Sequence, residues 1–74
     1  MSKQENEIEY DEKTGVAVKV LGKPIMVIPL KDWWLFYVEY SSQEEFKKMR
    51  KVLSMNDFMI LKVTPKRIYF EERL

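Results

Sequence analysis

Three features of the chain predict a single α+β domain in which a small antiparallel sheet carries one amphipathic helix on one face. Short apolar runs alternate with a period of two, turn residues separate them, and over residues 41–53 the apolar period lengthens to that of a helix. The order read from these signals is β-β-β-α-β-β, with links short enough for a compact domain. No internal repeat or second domain is visible.

Residues 1–13 are polar and acidic without sustained periodicity, and are read as a flexible arm; residues 14–74 are read as the domain. GVAVKVL, residues 15–21, opens the first strand, with Val16, Val18 and Val20 on one face and Ala17, Lys19 and Leu21 on the other. Gly22-Lys23 then suits a two-residue turn of type II′, with glycine at its first central position. PIMVIPL returns as the second strand. Pro29 has no amide to donate, which places this strand's end on a sheet edge or at a bend.

After a turn over residues 29–32 comes DWWLFYVEY, rich in the bulky and β-branched residues that favour a strand. Parity divides it into an all-apolar row, Trp34, Phe36, Val38 and Tyr40, and a second row, Trp33, Leu35, Tyr37 and Glu39. In SSQEEFKKMRKVL, Ser42 and Glu45 form an S-x-x-E capping box, and Phe46, Met49, Val52 and Leu53 make the apolar stripe. The early glutamates and late cations suit the helix dipole. Residues 54–57 end the helix; FMILKV, a TPK turn and RIYFEE complete the chain as a hairpin.

Composition narrows the function. The 74 residues include no cysteine and no histidine, which removes disulfides, the commonest metal ligands and the commonest general base. With only Gly15 and Gly22 there is no phosphate-cradling loop. The expectation is a protein that binds rather than catalyses, with no cofactor and no metal. No apolar run approaches the roughly 20 residues that cross a bilayer, and the N-terminal residues lack the pattern of a secretory signal, so a cytoplasmic protein without membrane attachment is expected. Residues 1–14 carry a net charge of −3 within a chain of net +1, which leaves a modestly basic body at +4.

Three candidate surfaces follow. The row Trp33, Leu35, Tyr37 has no evident partner once the helix covers the Trp34 row; it is a stacking platform for bases, or it is covered by a second subunit or by the first hairpin closing a barrel. The cations Lys47, Lys48, Arg50 and Lys51 on the helix, with Lys66 and Arg67 in the last hairpin, form a candidate phosphate-binding patch; the plain alternative is a solvated helix face. Strand edges near Pro29 and in RIYFEE offer β-augmentation to a protein partner.

Adjacent carboxylates Glu44/Glu45 and Glu71/Glu72 diverge on a helix or a strand, which argues against a paired-carboxylate site. The glycine and aromatic alternation of an RRM is absent, as is the GXXG of a KH domain. The resulting expectation is a small non-enzymatic binding protein, a homodimer or a subunit of a complex. It is nucleic-acid-associated through Lys47, Lys48, Arg50, Lys51, Lys66, Arg67, Trp33 and Tyr37. The alternative is a protein-interaction subunit or inhibitor docking by the aromatic strand or a sheet edge.

Overall fold

The structure is a computed structural model that describes residues 7–72. It is an α+β fold of seven strands in two antiparallel sheets with one helix. The first sheet has the order β1 (Ile8–Tyr10), β2 (Ala17–Val20), β3 (Lys23–Pro24). The second has the order β4 (Met26–Pro29), β5 (Trp34–Glu39), β7 (Arg67–Glu72), β6 (Phe58–Val63), with helix α1 (Gln43–Met55) linking β5 to β6. β5 and β6 each run antiparallel to β7 between them, so they are parallel to one another and α1 is their crossover.

From residue 7 onward the acidic segment is more ordered than its composition suggests. Residues 1–6 of the expected arm lie outside the described residues, but Ile8–Tyr10 pairs with β2 and buries Ile8. Asp11 then organises the link: its carboxylate accepts the Lys13 N–H at 2.7 Å, its carbonyl accepts the Gly15 N–H at 2.8 Å, and its own N–H donates to the Val16 carbonyl at 2.9 Å. Ile8 and Tyr10 among charges are too weak a signal to reveal a strand that pairing with a distant segment stabilises.

In β2 the predicted alternation fails, because Ala17 and Val20 are both buried while Val18 is exposed. The cause is a bulge: Glu9 faces Lys19 and Tyr10 faces Ala17, leaving Val18 as the extra residue that inverts the parity. The first hairpin also turns one residue earlier than expected. Val20 pairs with Lys23, and the central residues Leu21 and Gly22 both have positive φ, +49° and +80°, as a type I′ turn requires.

PIMVIPL, read as one strand, is divided at Ile25. Its first part pairs with β2 and its second with β5, while the Ile25 N–H still reaches the Val18 carbonyl at 2.9 Å. This break in the pairing lets one run of chain join both sheets. Pro29 ends β4 on the sheet edge, where its missing amide costs no ladder bond.

α1 begins where the capping box predicts. Ser42 Oγ accepts the Glu45 N–H at 3.1 Å; in return Glu45 Oε1 accepts the Ser41 N–H at 2.8 Å and the Ser41 hydroxyl at 3.1 Å. The helix runs two residues beyond the expected Leu53, so its last turn holds no cation, correcting the dipole argument at that end. Asn56 caps it instead, donating its side-chain amide to the Val52 carbonyl at 2.8 Å, and Asp57 turns the chain at φ +67°.

A single core joins everything. Phe36 and Val38 of β5, Ile68 and Phe70 of β7, and Phe58 of β6 meet Met49, Val52 and Leu53 of α1, while Ile8, Ala17, Val20 and Ile25 close the same side. The predicted inward row holds for Phe36, Val38 and Tyr40 but not for Trp34, which lies at the outer end of β5 and is 55% exposed. No helix among the described residues is long and apolar enough to cross a membrane.

Two measurements probe this account. Nothing lies within 4 Å of a Cβ built on Gly22, so Gly22→Ala costs only its positive φ; urea unfolding is expected to show a loss of about 1 kcal/mol, and no loss would refute the left-handed turn. The hydrogen bond from the Ser41 amide, then the Ser41 hydroxyl and Lys23, hold the Glu45 carboxyl below its ordinary value of 4.5. A depressed carboxylate contributes stability that is present above its unfolded value and lost as pH falls through the folded one. The stability gap between wild type and Glu45→Gln should therefore be full at neutral pH and shrink as the pH falls below 4.5.

A candidate basic groove between the helix and the edge strand

Helical spacing sorts the cations of KKMRK onto different faces. Lys47, Arg50, Lys51 and Ser54 stand at i, i+3, i+4 and i+7, one stripe of α1, and line a groove between the helix and the edge strand β6. Across from them lie Ile60 and Val63 of β6, with Phe46 of α1. The open groove has a volume of about 660 Å³. It therefore has one basic wall and an apolar floor.

The basic wall is electrostatically unspent. The ion pairs among the described residues are Lys23 with Glu45, at 3.6 Å, and Arg67 with Glu39, at 3.4 Å; neither involves Lys47, Arg50 or Lys51. The Arg50 guanidinium lies 5.8 Å from the centre of the Phe46 ring, a cation–π contact that holds its head over the floor.

The other residues expected at the site lie elsewhere. Lys48 faces around the helix to a depression lined by Leu21, Ser41, Ser42, Glu44 and Glu45, where carboxylates accompany it. Lys66 is in the β6–β7 turn, its carbonyl accepting the Tyr40 N–H at 3.1 Å. The turn itself is tied by Thr64, whose Oγ1 accepts the Arg67 N–H at 3.0 Å and whose carbonyl accepts the Tyr40 hydroxyl.

Arg67 and Tyr37 occupy the opposite face of the sheet. Glu39 faces Arg67 and Tyr37 faces Tyr69 across β5 and β7, with parity opposite to the buried Val38 and Ile68. The Arg67 guanidinium sits 4.4 Å above the Tyr37 ring and also donates to the Tyr69 hydroxyl, at 3.1 Å, and to Glu39. Those contacts, the Tyr69 hydroxyl foremost, push its pKa further up. The same stacking occupies the ring face that a base would need.

Trp33 precedes β5 and, with Trp34 and Phe36, borders a shallow depression whose remaining residues are Glu71 and Glu72. Two carboxylates beside the indoles make that spot unfavourable for a phosphate backbone. Sequence reasoning thus found the groove's cations and missed its floor. Spacing alone separates Lys48 from the other three, but no sequence signal places Ile60 and Val63 opposite them.

Comparisons of the chain with protein-family models, with curated proteins and with solved structures found no match in any of the three. Among the described residues there is no group of three or more His, Cys, Asp or Glu side chains placed to hold a metal ion.

The exposure of Trp33 and Trp34, 44% and 55%, is directly measurable. Acrylamide should quench nearly all tryptophan emission in the native protein at low concentration, with an emission maximum close to that of a hydrated indole. A blue-shifted, protected population would contradict the placement of both residues.

Proposed function

We propose that this protein is a small nucleic-acid-associated binding protein that works without catalysis, holding a phosphate backbone along the α1–β6 groove. The observation that carries the reading is the convergence of Lys47, Arg50 and Lys51, free of carboxylate partners among the described residues, along one wall above Phe46, Ile60 and Val63. Lysine and arginine supply the charge that phosphates require, while an apolar floor receives base or sugar surface. A single strand suits this arrangement better than a duplex, because its bases are free to turn toward the floor. A cytoplasmic setting is part of the same reading.

Tyr37 and Arg67 lie on the other side of the sheet and bind one another, so they are left out of the proposed interface. The functional residues are Lys47, Arg50 and Lys51, with Phe46 beneath them.

Fluorescence anisotropy with labelled single-stranded and duplex oligonucleotides across a salt series tests this. Three phosphate contacts predict a log–log salt slope of about −2 for a single strand, and hence a loss in affinity of roughly 20-fold between about 50 and about 200 mM salt. Replacing Lys47, Arg50 and Lys51 together by alanine should abolish the slope, whereas Lys48→Ala should leave it nearly unchanged. Absence of binding at low salt, or binding indifferent to salt, would rule the proposal out.

A further inference from the structure

The second sheet has two faces, and α1 with the first hairpin covers one of them. On the other face, register and parity bring together Met26 and Ile28 of β4, Leu35 and Tyr37 of β5, Tyr69 of β7 and Met59 of β6. Lys23 and Pro24 of β3 border this face beside Met26, Tyr37 and Glu39, the rest of it meets no other described element, and each of these side chains is at least partly exposed. A contiguous apolar patch of this kind on a small protein marks an interaction surface.

We propose that this face docks a second copy of the chain, sheet against sheet about a two-fold axis. The charges on the face select that occupant. Glu39 and Glu71 stand there with Lys62 and Arg67, so their sum is zero and a rotated copy meets no net repulsion. Arg67 is already paired with Glu39 and stacked on Tyr37, so it needs no partner of opposite sign. A polyanion, by contrast, would meet two carboxylates and a Tyr37 ring already covered.

Size points the same way. A chain this short buries only about 60% of its unfolded surface alone, so covering an apolar face adds to a narrow margin of stability. Four strands about 4.8 Å apart, three of them six residues long and β4 only four, present a face of at most roughly 20 by 20 Å. Two such faces remove roughly 700 Å² before side-chain relief is counted, short of the roughly 1,200 Å² at which stable specific interfaces begin, so the contact belongs to the weak, transient class. The dimer is therefore a reversible one. Because α1 lies on the opposite side, both basic grooves stay open in it.

Sedimentation velocity on the full chain without nucleic acid, from about 5 to about 200 µM, tests the proposal separately from the function of the groove. The expected result is a mass that rises from 9.0 kDa toward twice that value. Met26→Lys and Met59→Lys, at positions 47% and 40% exposed and so tolerant of a charge, should each weaken association at least tenfold while circular dichroism shows the fold intact. Met55→Lys, 69% exposed near the end of the helix, should change nothing. A wild-type monomer at the highest concentration overturns the proposal. So does a dimer that survives both methionine substitutions with the fold intact, and so does a monomer that uses this face to hold a different protein or an oligonucleotide.

Discussion

One helix and one short hairpin can dry only one face of a four-stranded sheet. Most of the molecule follows from that constraint. Phe36, Val38, Ile68, Phe70 and Phe58 line the face that Met49, Val52 and Leu53 cover, and the hairpin adds Ile8, Ala17, Val20 and Ile25 around the same core. With interiors packed near the density of organic crystals, those residues leave little freedom in how the layers meet. The break at Ile25 is where the chain passes from the hairpin's sheet to the larger one.

The uncovered face is handled by a different device. Arg67 lies across Tyr37, donates to the Tyr69 hydroxyl and meets Glu39, so charged and aromatic groups on β5 and β7 satisfy one another in the open. Exposed ion pairs of this sort contribute little to stability, usually below about 1 kcal/mol. Their consequence here is for recognition: the Tyr37 ring is already engaged. The basic groove forms on the other side, where α1 lies along the edge strand and no carboxylate among the described residues answers Lys47, Arg50 and Lys51. Two surfaces of opposite character thus lie back to back on one small scaffold.

The departures from expectation share a cause. The bulge at Val18, the early turn at Leu21–Gly22 and the strand Ile8–Tyr10 all depend on which residues pair across the first sheet. A pairing of this kind adds or removes one residue at a bulge without leaving a mark on local composition. Leu21 shows the strength of that effect, because a leucine at φ +49° contradicts its local preference and is held there by the strands on either side. Trp34 shows a related limit: parity put it in the covered row, but at the first position of the strand it is 55% exposed.

The features the amino-acid sequence determined by itself are the local ones. The capping box of Ser42 and Glu45, the stripe of Met49, Val52 and Leu53, the strands Phe58–Val63 and Arg67–Glu72, and the edge position of Pro29 rest on periods, caps and missing donors that act within a few residues. Only the tertiary structure decided that Lys47, Arg50 and Lys51 would face Ile60 and Val63 while Arg67 turned to Tyr37. Those neighbours come from a crossover that places β7 between β5 and β6, and from a break in pairing that carries one run of chain into both sheets. Such long-range choices are settled by the total area buried in one shared core, a quantity that no single stretch of sequence carries.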